Sequence, residues 1–264
     1  MTATPPSGAW SNAQLSRIED CGLNASAPPQ QRWLDGWLLR FSPGKAKRAR
    51  CVQAVAKGCL PLDERLALCQ QAYQEHGLPM VLRITPFSQP EALDQALDER
   101  GYHPFDHTLV MVVELAAPAA ELCAPKLQML AVGHAEFAEQ VGQLRGSPEG
   151  QRKAQALRLA HSPVPFQAWL LRDRDDGQVL ACGQTVVEAD IVGLYDVFTA
   201  TEVRGRGLAG QLCQAMLAAA MGQGARRAYL QVEADNAPAR ALYRRLGFAD
   251  AYAYHYRAKD PSAH

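Results

Sequence analysis

A chain of 264 residues, 48% of them hydrophobic, can bury one large core or two ordinary ones. Its 27 basic and 27 acidic side chains leave no net charge and a pI near 7.0, which argues against nucleic acid or an anionic membrane as partner. No apolar run approaches the ~20 residues of a membrane span, and residues 1–8 lack the basic-then-apolar layout of a secretory signal, so a cytoplasmic protein with a frayed N-terminal tail is expected.

Seven scattered cysteines without a Cys-x-x-Cys pair read as free thiols in a reducing compartment. His103 and His107 stand four apart, but Pro104 between them breaks a shared helical face, and no metal site is expected.

In chain order, a helix is expected over residues 11–25, starting at Ser11 or Asn12, before Pro28-Pro29 breaks the chain. Residues 33–41 read as a turn and a strand. Lys45, Lys47, Arg48 and Arg50 then form a basic run entering a strand over 51–55. The plainer reading of that run is a solvated loop; the other is a contact for cofactor phosphates or an acidic substrate. Helices follow over 62–77 and 90–101, with strands over 80–84 and 109–115. Residues 116–120 look like a linker. A second unit starts at Lys126 with a strand over 127–132, helices over 134–144 and 148–160, and strands near 166–172, 178–188 and 191–199.

The last of these strands leads into Arg204-Gly205-Arg206-Gly207-Leu208-Ala209-Gly210 and then a helix with Leu212, Met216 and Leu217. Glycines let a backbone approach an anion closely. Free N–H groups and the positive end of the helix dipole favour phosphate there, and Arg204 and Arg206 can add charge-assisted contacts. Gly205, Gly207 and Gly210 also satisfy G-x-G-x-x-G, with Glu233 near the place of its ribose-binding acid. A dinucleotide fold is disfavoured: residues 200–203 separate the loop from its strand, and too little chain follows Glu233 for further βαβ units.

A strand over 228–232 comes next, then a helix capped by Asp235 or Asn236, with Pro238 in its first turn and Gly247 as its stop. Here the chain resembles the GNAT superfamily of N-acetyltransferases. Arg204, Gly207 and Ala209 match its [RQ]-x-x-G-x-[GA] motif. Asn236, Ala239, Leu242, Tyr243, Gly247 and Phe248 match N-x-x-A-x-x-L-Y-x-x-x-G-F. The resemblance spans residues 126–258 and implies an acetyl-CoA-dependent N-acetyltransferase of α/β (α+β) class.

A duplication is also legible. Trp-Leu-Leu-Arg occurs at 37–40 and 169–172, Leu-Cys-Gln at 68–70 and 212–214, and Arg100-Gly101-Tyr102 ends a helix as Leu246-Gly247-Phe248 does. Their common order suggests two GNAT-like units, each a mixed, mostly antiparallel sheet flanked by helices. Residues 1–117 would be a degenerate unit and 126–258 the catalytic one. The first has no paired glycines before its helix and carries Leu97 where the second has Tyr243. It would shape the acceptor pocket or an interface, which leaves a homodimer open.

The resemblance implies that the amides from Gly205 to Gly210 hold the pyrophosphate, and that Val197, Phe198 and Thr199 offer main-chain groups to pantetheine and the thioester oxygen. It assigns Tyr243 as the acid that protonates the thiolate and places Asn236 near the cofactor. An alkyl ammonium, with a pKa of roughly 10.4, needs a proton acceptor. The glutamate that some family members use falls here on Gln231; Glu233, two residues on, is ranked first as base, with Asp196 and Glu188 as rivals. The acceptor is a small-molecule amine, a peptide N-terminus or a lysine. The rival reading is a regulatory module that binds coenzyme A without turnover.

Overall fold

The structure, a computed structural model, describes residues 10–44, 46–115 and 126–263. The tail at 1–8, Lys45, Cys123 and the linker at 116–120 lie outside the described residues. The chain opens with α1 (Asn12–Ala25), started by a capping box: Ser11 Oγ accepts from Gln14 N–H at 3.3 Å, and Gln14 Oε1 accepts from Ser11 N–H at 2.9 Å. The turn and strand expected over 33–41 are the turn at Asp35-Gly36 and β2 (Trp37–Phe41), and the turn joins β2 to a further strand, β1 (Gln30–Leu34), as a hairpin. Its two-residue turn places Asp35 at φ 43° and Gly36 at φ 82°, the left-handed pair that such turns need. The basic run becomes a single 3-10 turn, Lys47–Ala49, before the short β3 (Val52–Gln53). There follow α2 (Leu62–Glu75), β4 (Leu82–Ile84), α3 (Leu93–Asp98) and β5 (His103–Glu114).

The second half adds β6 (Leu127–Val132), α4 (His134–Leu144), α5 (Glu149–Ala160), β7 (Phe166–Asp173), β8 (Val179–Glu188) and β9 (Ile191–Thr199). After them come α6 (Leu208–Gly222), β10 (Arg227–Glu233), α7 (Ala237–Arg245) and β11 (Ala249–Ala258). From β1 to β5 and from β7 to β11 the element order is the same. Helices α3 and α7 also end alike: Tyr102 N–H bonds to the Leu97 carbonyl and Phe248 N–H to the Tyr243 carbonyl, both at 3.0 Å, with Gly101 and Gly247 at positive φ. The Trp-Leu-Leu-Arg pair is the exception. Its copies fall on β2 and β7, which are not equivalent strands, so that match is coincidence.

The α/β class, with mixed, mostly antiparallel sheet between helices, is what the chain adopts, and the strands of both units run on into one sheet. The order is β1-β2-β3-β4-β11-β5-β10-β9-β8-β7-β6. At its centre the halves exchange strands: β11 lies between β4 and β5, and β5 between β11 and β10. Only β3–β4 and β9–β10 pair in parallel among the described residues, each across one helix. That leaves no run of parallel βαβ units for a dinucleotide.

Helix α6 covers one face of the second half with Leu212, Cys213 and Met216, all fully buried. Helices α4 and α5 cover the opposite face through Phe137, Val141 and Leu159. Helix α1 lies over the exchanged centre, where Ile18 meets Val110, Val112, Tyr252 and Tyr254. It is fastened there by a buried ion pair between Glu19 and Arg83 of β4.

Candidate active site

Strands β9 and β10 pair from Ile191 to Leu194 against Arg227 to Leu230, and there the pairing stops. Beyond it, Tyr195–Thr199 keep β8 on one side only, and Gln231–Glu233 keep β5. The strands therefore open toward their C-terminal ends. Two features stand at the fork. Gly193 has no room for a Cβ, which would meet the Tyr195 hydroxyl at 2.7 Å and the Tyr229 ring at 2.8 Å. The hydroxyls of Tyr195 and Tyr229 hydrogen-bond each other in this place. On β9 the register against β8 slips between Cys182 and Gln184, and Asp196 adopts φ 50°, a bulge that turns the strand. Val197, Phe198 and Thr199 follow it on the open edge, half-buried.

The chain then makes a 3-10 turn at Thr201–Val203 and reaches the glycine loop. Gly205 and Gly207 sit at φ 79° and 76°, and a Cβ at either would meet nothing within 4 Å. Backbone conformation demands these glycines, and the space above them is open. The first intrahelical bond of α6 runs from Gln211 N–H to Gly207 C=O at 3.2 Å. The N–H groups of Leu208, Ala209 and Gly210 thus lack helical partners, at the end of α6 where the positive dipole lies. The Leu208 side chain itself turns into the core. Gly210 is where α6 meets α7: a Cβ there would lie 3.4 Å from a Leu242 methyl. Arg204 is exposed; its Nε donates to the Thr199 carbonyl at 3.3 Å, and its guanidinium lies 5.3 Å from the Phe198 ring centre. Arg206 is exposed.

Across the fork, Asn236 caps α7: its Oδ1 accepts from Ala239 N–H at 3.1 Å. One face of that short helix buries Tyr243 against Phe248, with ring centres 6.0 Å apart. Burial, then the neighbouring Cys213, pushes the Tyr243 hydroxyl well above the ordinary tyrosine value. Among the described residues it has no hydrogen-bond partner.

Glu233 ends β10, exposed, opposite Thr108. Its rivals are engaged. Asp196 receives Arg145 Nη1 and Gln155 Nε2, both at 3.2 Å. Glu188 accepts from Asn24 at 2.8 Å and stands opposite Ile191, at the closed end of the fork. Gln231 and Glu233 both line a cavity of about 270 Å³ with Lys47, Arg48, Asp106 and Tyr254. Lys47 and Arg48 of the basic run thus belong to a cavity wall. Arg48 Nη1 donates to Gln231 Oε1 at 2.7 Å and to the Tyr254 hydroxyl at 3.1 Å. Tyr254 went unnoticed in the sequence; its one signal is the Tyr252-x-Tyr254-x-Tyr256 alternation, which puts three aromatics on one strand face.

The loop that leads into α2 in the first half has no left-handed glycine cap, Pro61 standing where α6 has Gly207, and its amides are occupied from within. Asp35 accepts from Cys59 N–H at 2.8 and 3.0 Å and from Leu60 N–H at 2.9 Å, just before α2. Those two amides, then Arg65 at 2.7 Å, hold the Asp35 carboxyl below its ordinary value. Arg65 also binds the Lys57 and Leu60 carbonyls at 2.9 Å.

Residues 12–257 match the family model described as "probable histone acetyltransferase Rv0428c C-terminal". The uncharacterized N-acetyltransferase YobR of Bacillus subtilis (strain 168) is 27% identical over 233 residues, 87% of this chain and 92% of YobR. Among solved structures, a GCN5-related N-acetyltransferase from Kribbella flavida superposes with a TM-score of 0.69 at 18% identity, over 93% of this chain and 95% of that one. A tandem GNAT protein from the clavulanic acid biosynthesis pathway superposes with a TM-score of 0.61 at 14% identity, over 75% and 70%. With nearly its whole length inside the family model, the chain belongs to the Rv0428c C-terminal family and is an acetyltransferase of the GNAT type.

Proposed function

We propose that the protein transfers an acetyl group from acetyl-CoA to a primary amine by direct attack within a ternary complex. The observation that carries this reading is the fork between β9 and β10, which ends on unobstructed amides at the start of α6. Gly205 to Gly210 would hold the pyrophosphate, with Arg204 and Arg206 beside it. Val197, Phe198 and Thr199 would pair with pantetheine, and an N–H of this edge would hold the thioester oxygen as charge develops on it. Tyr243 would protonate the departing thiolate. Glu233 stands at the cavity mouth to meet the acceptor's ammonium, and Asn236 fixes the turn between Glu233 and Tyr243. The catalytic unit is residues 126–258; the unit of residues 1–117 supplies Lys47, Arg48 and Asp106 to the acceptor cavity. Thiol release from acetyl-CoA, measured against a panel of amines, tests the reading. Binding of acetyl-CoA without release of thiol under any amine would make the chain a coenzyme A-binding module instead.

Two further results are expected. Isothermal titration should find one acetyl-CoA per chain, because Asp35 already occupies the amides before α2; two equivalents would refute this. Gly207→Ala forces an L-residue into left-handed backbone, at about 1–2 kcal/mol. It also sets a methyl group where the phosphates would lie. Acetyl-CoA affinity should fall at least about tenfold, roughly 1.4 kcal/mol, and Tm by the few degrees that the strain costs. An unchanged Kd would remove the loop from donor binding.

A further inference from the structure

Position 231 carries an amide where a carboxylate base would serve, and the groups gathered around it show how the chemistry can proceed without one. Arg48 reaches into the cavity from the first half, and its Nη1 bonds Gln231 Oε1 and the Tyr254 hydroxyl. The neutral Tyr254 hydroxyl donates to Gln231 Oε1 at 2.8 Å, a bond it gives up on ionising while it keeps the one from Arg48. Arg48 forms no ion pair among the described residues, and its Nε is buried without a partner. A guanidinium taken out of water without a counter-charge is costly. The group placed to supply that charge is the Tyr254 oxygen.

We propose that Tyr254, as a phenolate held by Arg48, takes the proton from the acceptor amine; the assignment rests on the acetyl-transfer reading above. The ammonium N–H bond breaks and its proton joins the Tyr254 oxygen, leaving a nitrogen lone pair. The C–N bond forms as the C–S bond breaks, the bonding pair goes to sulfur, and the thiolate takes the Tyr243 proton. A second nitrogen proton leaves through solvent and restores the Tyr243 hydroxyl. Tyr254 then loses its own proton to bulk water through the cavity. Glu233, exposed at the mouth, holds the incoming cation and is not itself the base.

The surroundings favour this ionisation. Tyr254 is 2% exposed, and burial alone would push its hydroxyl up, but Arg48 and then Arg83 pull it below the ordinary tyrosine value. The Arg83 guanidinium lies 3.7 Å from the ring centre, though Glu19 of α1 matches its charge. On β11 itself, Tyr256 crosses Tyr254 edge-on at 5.7 Å and Tyr252 donates to Glu19; burial raises both, so they stay neutral. Cys51 beside β3 is pushed up to about 11 by burial. From β5, Thr108 is uncharged, and Asp106 is paired with Lys47 at 2.6 Å. Among the described residues, Arg48 is the cation facing Tyr254 that has no ion-pair partner.

The test is a near-ultraviolet phenolate titration of the full chain, followed by the pH profile of kcat/KM for thiol release. Wild type should show one phenolate that ionises before the other tyrosines. Tyr254→Phe should lack it, and Arg48→Met should move it up by about one to three pH units. The acid limb of kcat/KM should move in Tyr254→Phe up to the pKa of the amine itself, roughly 10.4, so that its deficit shrinks as pH rises and free amine accumulates. That limb should shift upward in Arg48→Met, whereas Glu233→Gln should raise the amine KM with the limb in place. Wild-type titration behaviour in Tyr254→Phe, or an unmoved limb in both Tyr254→Phe and Arg48→Met, overturns the proposal. Failure of wild type to release thiol with any amine overturns the transfer reading and this role with it. The phenolate step, read without any substrate, tells that failure from a failure of Tyr254 alone.

Discussion

Tyr243→Phe is expected to lower kcat for acetyl transfer by roughly 100-fold and to leave acetyl-CoA affinity nearly unchanged. Phenylalanine keeps the ring, its packing in the α6–α7 core and its edge contact with Phe248. The loss is one hydroxyl that has no hydrogen-bond partner among the described residues. Because burial raises its pKa, that hydroxyl stays protonated throughout the neutral range and has a proton to donate. A thiol of pKa about 8.5 leaves as an anion, and a hydrogen bond to a charged group contributes about 1.5–3 kcal/mol. If that bond exists only once the C–S bond is breaking, all of it appears in kcat, where 1.36 kcal/mol is a factor of ten. Steady-state kinetics with a direct Kd for acetyl-CoA decides the matter. A kcat within a few-fold of wild type would take Tyr243 out of the chemistry, and a matching loss of affinity would make it a binding residue.

What could be read in the sequence was local. The glycine loop, the Asn236 cap and the Gly247 stop are each fixed by residues a few positions apart, and each lies where those residues put it. The equivalence of Leu97 and Tyr243 was legible for the same reason, since each is set by the glycine that follows it. The turn before Trp37 was legible, but β1 ahead of it was not, because that strand is exposed along most of its length and carries no apolar alternation. The exchange of β5 and β11 was not legible at all, because a strand's pattern records which faces are buried and not which neighbour it pairs with. Arg48 shows the same limit from the side of function. Its partners are 183 and 206 residues away, so in sequence it looks like one cation in a solvated run. Motif chemistry that sits at a helix end could be found; a site assembled across the exchanged strands could not.

Glu19→Ala is expected to destabilise the fold by about 3–5 kcal/mol, the cost of leaving a buried charge uncompensated. Arg83 is 1% exposed and ion-paired with Glu19, and the Tyr252 hydroxyl donates to Glu19 at 2.7 Å. Both would lose their partner at once. Burial alone would raise the Glu19 carboxyl, but Arg83 overcomes it and the folded pKa lies below 4.5. A carboxyl depressed on folding stabilises above its unfolded pKa and loses that contribution as pH falls through the folded one. Urea denaturation should therefore show the wild-type advantage in full at neutral pH and a shrinking one in acid. Equal midpoints for wild type and variant at neutral pH would refute the account. Glu19→Leu combined with Arg83→Met should recover much of the loss, because an apolar pair of similar volume carries no desolvation cost. The pair also bears on the site. Glu19 matches the charge of the cation stacked on Tyr254, so Glu19→Ala protein that still folds would hold two unmatched guanidinium groups there, and its early phenolate should ionise at lower pH than in wild type.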